Sequence, residues 1–93
     1  MKDKALEGKK AAQLLENPIY LGAVESLREK YYKRIETSKG EAQGEREDAY
    51  YLLRALRSLE AEIKGVVDSG KAAEAAQGRQ RVINRLNRLK QGD

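Results

Sequence analysis

The residues with the richest polar chemistry lie in the last quarter of the chain, where Arg79, Arg81, Arg85, Arg88 and Lys90 alternate with Gln80, Asn84 and Asn87. Arginine among Asn and Gln is the chemistry of phosphate and base-edge contact. Helical spacing puts Arg81, Arg85 and Arg88 on one stripe, with Val82, Leu86 and Leu89 one step round. Residues 1–70 carry 13 Lys+Arg and 13 Asp+Glu, so the net charge of +4 arises wholly from residues 71–93. A neutral body with a basic arm suits an acidic partner, such as nucleic acid, an acidic protein groove or an anionic surface. A solvated basic helix face is the plainer reading, and no helix-turn-helix, zinc-finger, RNP or KH pattern accompanies the cations.

Other chemistry is thinly provided. The chain has no Cys and no His, which removes cysteine nucleophiles, histidine bases, Cys/His zinc sites, haem and iron–sulfur ligation. Glu25, Glu29, Glu60 and Glu62 are spread over polar helix faces beside Lys or Arg, and no Gly-rich phosphate loop or Glu-x-x-His occurs. The expectation is a non-enzymatic protein with no cofactor, no metal and no small-molecule substrate. A disulfide framework is excluded, and the first thirty residues lack the apolar run of a signal peptide. No window reaches eighteen apolar residues, so a membrane is not expected as a partner.

The elements that must position these residues are helices. Hydrophobic residues make up 40% and charged residues 37% of the 93-residue chain, with 8 Gly and 1 Pro. That profile predicts an all-α fold in one small domain, residues 1–93: an antiparallel helical hairpin over 18–68, a short N-terminal helix and a basic C-terminal helix over 71–91. Asn17-Pro18 marks a helix start, because Asn caps well and Pro at the first position gives up an amide without an intrahelical partner. Tyr20, Val24, Leu27, Tyr31 and Ile35 then form one stripe to about Thr37. Before it, Gly8 is read as an interruption, leaving a helix from about Lys9 to Glu16.

Thr37 to Gly44 reads as a loop, followed by Glu45, Glu47 and Asp48 at a helix start, where acids complement the macrodipole. Ala49, Leu52, Leu56, Leu59, Ile63 and Val66 recur at alternating spacings of 3 and 4, and this heptad predicts the buried seam. Gly70 is read as the stop of that helix. Leu53 and Val67 then flank the seam as surplus apolar surface, available to a second copy or a larger partner. Tyr31, Tyr32, Tyr50 and Tyr51 fall near the loop end of the hairpin. They form either a cap on a small core or a contact surface. With so thin a core, association with itself or with another protein is the expected stabiliser.

From Leu14 to Glu74 the chain resembles a family of small, all-helical bacteriophage proteins. The resemblance is carried by Leu14-Leu15-Glu16-Asn17-Pro18-Ile19-Tyr20, Leu27-Arg28-Glu29-Lys30-Tyr31, Glu45-Arg46-Glu47-Asp48-Ala49-Tyr50, Leu52-Leu53-Arg54-Ala55-Leu56, and Val66-Val67-Asp68-Ser69-Gly70-Lys71-Ala72-Ala73-Glu74. It implies a place in virion assembly or DNA packaging, in the host cytoplasm and carried from there into the virion. A packaging accessory similar to a small terminase subunit is the nucleic-acid-binding alternative. The family supplies no active site to carry over, and the basic arm after Gln77 lies outside the resemblance.

Overall fold

Asp3 opens the first helix by accepting a hydrogen bond from the Leu6 amide at 3.2 Å, satisfying one of the free donors of the first turn. A computed structural model of the chain describes residues 3–91, and this helix, α1, spans Lys4–Glu16. The break expected at Gly8 does not occur, because Gly8 is buried in a helix contact. α2, Pro18–Thr37, begins and ends where the sequence predicts, with Asn17 Oδ1 accepting from the amides of Ile19 at 2.8 Å and Tyr20 at 3.2 Å. α3 runs unbroken over Gln43–Gln91, 49 residues, or roughly 74 Å at the α-helical rise. Among the described residues there is no strand.

Gly70 does not stop the helix. No residue among those described has a positive φ, so Gly70 keeps helical geometry and spends its missing side chain on packing. A Cβ on Gly70 would lie 2.6 Å from the Gly8 Cα and 3.0 Å from the Lys4 carbonyl oxygen. A Cβ on Gly8 would lie 2.7 Å from the Gly70 Cα. Two backbones therefore touch here, and only glycine fits on either side. Lys9 and Glu74 pair beside this crossing at 3.2 Å, both partly in solvent.

The buried line of α3 differs from the predicted one. Ala49, Leu53 and Leu56 are buried, Glu60, Ile63 and Val67 are half-buried, and Gly70 is buried, at alternating spacings of 4 and 3. The expected seam shares Ala49, Leu56 and Ile63 with this line, but Leu52, Leu59 and Val66 are exposed. Leu53, at 4% exposure, is inside the fold instead of being surplus surface, and Val67 faces the α1 side next to Ala12 and Gly70. The cause is Glu60. A carboxylate at a seam position masks the true heptad in the sequence, and its partner Arg28 lies on α2.

α1 and α2 both pack on α3. Arg28 meets Glu60, Tyr32 meets Arg57, and Ser38 meets Arg46. The molecule is accordingly a rod of 82 × 23 × 20 Å. Its core is small, with Ala5, Val24, Ala49, Leu53 and Leu56 the buried hydrophobic residues among those described. The Tyr20 hydroxyl is buried with no hydrogen-bond partner.

Candidate functional site

At the loop end, Arg46 does what the sequence reading missed. Its guanidinium donates to the carbonyl oxygens of Lys39 at 2.6 Å and Gly40 at 3.2 Å and to the Ser38 hydroxyl at 3.4 Å, so one side chain holds the turn between α2 and α3. The available signal was a lone cation among Glu45, Glu47 and Asp48, where the helix dipole favours acids. Beside it, Ile35, Gln43, Glu47, Tyr50 and Tyr51 line an open groove.

The four tyrosines do not form one cluster. Tyr50 and Tyr51 meet edge-on with ring centroids 5.8 Å apart, and the Arg54 guanidinium lies 5.9 Å from the Tyr50 ring. Tyr31 carries Arg34 over its ring at 5.8 Å, and the Tyr32 hydroxyl accepts from Arg57 at 3.3 Å. Tyr31 is half-buried while Tyr32, Tyr50 and Tyr51 are exposed. Tyr50 and Tyr51 are thus the members of the predicted set that offer contact area at the loop end.

Mid-rod, Arg28 donates to Glu60 Oε1 at 2.6 Å and lies 3.5 Å from Glu25 on its own helix. The hydrogen bond to Glu60 is the main cause holding the Arg28 guanidinium above its ordinary value, outweighing the opposing effect of burial. The sequence reads Glu60 as a polar-face carboxylate; in the structure it is a half-buried seam residue that ties α2 to α3. A double-mutant cycle of Arg28→Met and Glu60→Gln is expected to show coupling of about 0.5–1 kcal/mol in denaturant titrations, the upper end for partly solvated pairs. Additive losses would mean that the two side chains act independently.

The basic end is laid out along the last turns of α3. Arg79, Arg81, Arg85, Arg88 and Lys90 are all exposed, and among the described residues none forms an ion pair. Arg81, with Gln77 and Gly78, still borders a groove against Asp3 and Leu6. Every residue from Arg81 to Gln91 is exposed, including Val82, Ile83, Leu86 and Leu89. The sequence placed these side chains on adjacent faces of a separate helix; the structure makes them the projecting end of α3.

Among the described residues no group of three or more acidic side chains is arranged to hold a metal ion. No described helix is long and apolar enough to cross a membrane. Set against models of known families, curated proteins and solved structures, the chain finds no match.

Proposed function

We propose that the chain is a non-enzymatic bacteriophage assembly protein, an elongated helical adaptor that self-associates or docks on a larger virion or packaging complex. In this reading α2 and the first half of α3 form an antiparallel hairpin, α1 prolongs the first arm beyond the Asn17 break, and α3 carries the contact surfaces. The observation that carries the proposal is the end of α3. A ten-residue helical stretch, 82–91, stands clear of all packing with its apolar stripe in solvent. An apolar stripe left in water gains by being covered, so this end of α3 gains by finding a partner. The phage assignment rests on the resemblance over residues 14–74, and host cytoplasm with carriage into the virion goes with it. The test is the mass of the chain alone in solution, together with immunodetection on purified particles and assembly intermediates. A chain that is monomeric at every concentration and absent from all of them overturns the reading.

A nucleic-acid-binding accessory is the second reading, favoured by one feature: five exposed cations from Arg79 to Lys90 with no carboxylate between Ala75 and Gln91. Contact with phosphate through Arg81, Arg85 and Arg88 must weaken as salt rises, and alanine at each is expected to flatten the salt dependence by roughly one counterion. Truncation after Arg81 preserves the Gly8–Gly70 crossing, the Lys9–Glu74 pair and the groove against Leu6, so helicity up to that point is expected to persist while binding is lost. Binding that ignores salt, or survives truncation, removes nucleic acid as the partner of this end.

A further inference from the structure

The seam facing α1 and α2 passes through Leu53, Leu56, Glu60, Ile63 and Val67, which leaves the opposite side of α3 bare. That far side has a heptad of its own, with alternating spacings of 4 and 3 from Ser58 to Leu89. Its first third is small: Ser58, Ala61 and Gly65. Its last third is large and apolar: Val82, Leu86 and Leu89. Between them lie Asp68, Ala72, Ala75 and Arg79. Every one of these residues is exposed, and Lys4 and Glu7 of α1 line one open groove with Ala61 and Gly65.

The pattern is complementary to itself when reversed. We propose that a second copy of this chain covers the far face of α3, antiparallel, about a two-fold axis passing between Ala72 and Ala75. In that register each large residue meets a small one: Leu89 lies opposite Ser58, Leu86 opposite Ala61, and Val82 opposite Gly65. Asp68 meets Arg79, which places acid on base, and Ala72 meets Ala75 at the axis. By symmetry every layer occurs twice, once on each side of the axis, so the contact is closed and isologous and does not grow into a filament. It covers residues 58–89, roughly 46 Å of helix, and shelters the apolar turns that project beyond α1. Lys64, Lys71 and Arg85 border these layers and repel one another, and the doubled Asp68–Arg79 pair offsets them.

Gly65, like Gly22 and Gly78, is a mid-helix glycine that packing within the single chain does not explain. It costs about 1 kcal/mol of helix propensity relative to alanine, and a Cβ there would meet nothing within 4 Å. Opposite Val82 of a second copy, the missing side chain is the space the valine fills.

This inference deepens the adaptor reading by naming the self-contact surface, and its test separates the two. Equilibrium sedimentation of the full chain is expected to give twice the 10.5 kDa chain mass. Gly65→Leu fills open space in one chain but overpacks two layers of the pair, and is expected to weaken the dimer by roughly a hundredfold or more while the helical circular dichroism holds or rises. Asp68→Arg should also yield monomer, and adding Arg79→Asp should restore the dimer, because the layer is then rebuilt with its charges exchanged. A wild-type monomer, a dimer untouched by Gly65→Leu, or a double charge exchange without rescue overturns the proposal. If Gly65→Leu is monomeric yet still found on particles, the adaptor reading stands apart from self-association; if wild type is a dimer but absent from particles and intermediates, the dimer stands and the phage role falls.

Discussion

Gly70→Ala is expected to detach α1 from α3, although alanine is the better helix former by about 1 kcal/mol. The reversal of sign comes from position. The new methyl would stand 2.6 Å from the Gly8 Cα and 3.0 Å from the Lys4 carbonyl oxygen, and both are backbone atoms that cannot rotate away. Relief requires the whole of α1 to move outward, which loosens buried Ala5 and stretches the Lys9–Glu74 pair. The expected loss is about 2–3 kcal/mol of α1 docking, read as faster amide exchange over residues 8–16. Gly8→Ala should act alike, since its methyl would lie 2.7 Å from the Gly70 Cα. Gly22→Ala is the control: nothing lies within 4 Å of a Cβ there, so the gain in helix propensity, up to about 1 kcal/mol, should be kept. A stabilised Gly70→Ala protein would show that the two helices do not cross so closely.

The parts of this fold that were legible in the sequence are those governed by local chemistry. Asn17 and Pro18 mark the start of α2 because a cap and a missing amide act within one turn, and no distant residue can change that. Gly8 and Gly70 were misread for the opposite reason. Glycine as a helix stop and glycine as a contact point look identical along the chain, and only the meeting of two residues 62 positions apart distinguishes them. The seam failed in a related way. Leu52, Leu59 and Val66 make the cleaner apolar repeat, but the true line carries Glu60, whose charge is matched only across the helix pair by Arg28. For the candidate surfaces, the composition and spacing of the basic arm were readable. That it continues α3 instead of starting a new helix was not, because Gly70 keeps helical geometry and packs on Gly8, a contact that no local pattern announces.

Leu56→Asp is expected to abolish cooperative folding, and Leu59→Asp, three residues on, to leave it nearly intact. Leu56 is 7% exposed and sits in the line with Ala49 and Leu53, where the core is already as small as five buried apolar residues among those described. An aspartate there would be a buried charge with no partner, Arg28 being engaged by Glu60 one turn away. Such a charge costs about 3–5 kcal/mol, on top of the apolar burial lost with leucine, about 2 kcal/mol. Domains of this size have only about 5–10 kcal/mol in hand, so little or none of the folded state should remain in a thermal melt followed by circular dichroism. Leu59, by contrast, is 51% exposed and belongs neither to the inner seam nor to the far face proposed to bind a second copy. A carboxylate at that position keeps its water, and the expected change is within about 1 kcal/mol, with the solution mass unaltered. The cleaner repeat in the sequence requires both substitutions to be equally damaging, whereas the inner line through Leu53, Leu56 and Glu60 requires them to differ by several kcal/mol. Equal damage at the two positions would therefore move the seam of α3 back to Leu52, Leu59 and Val66.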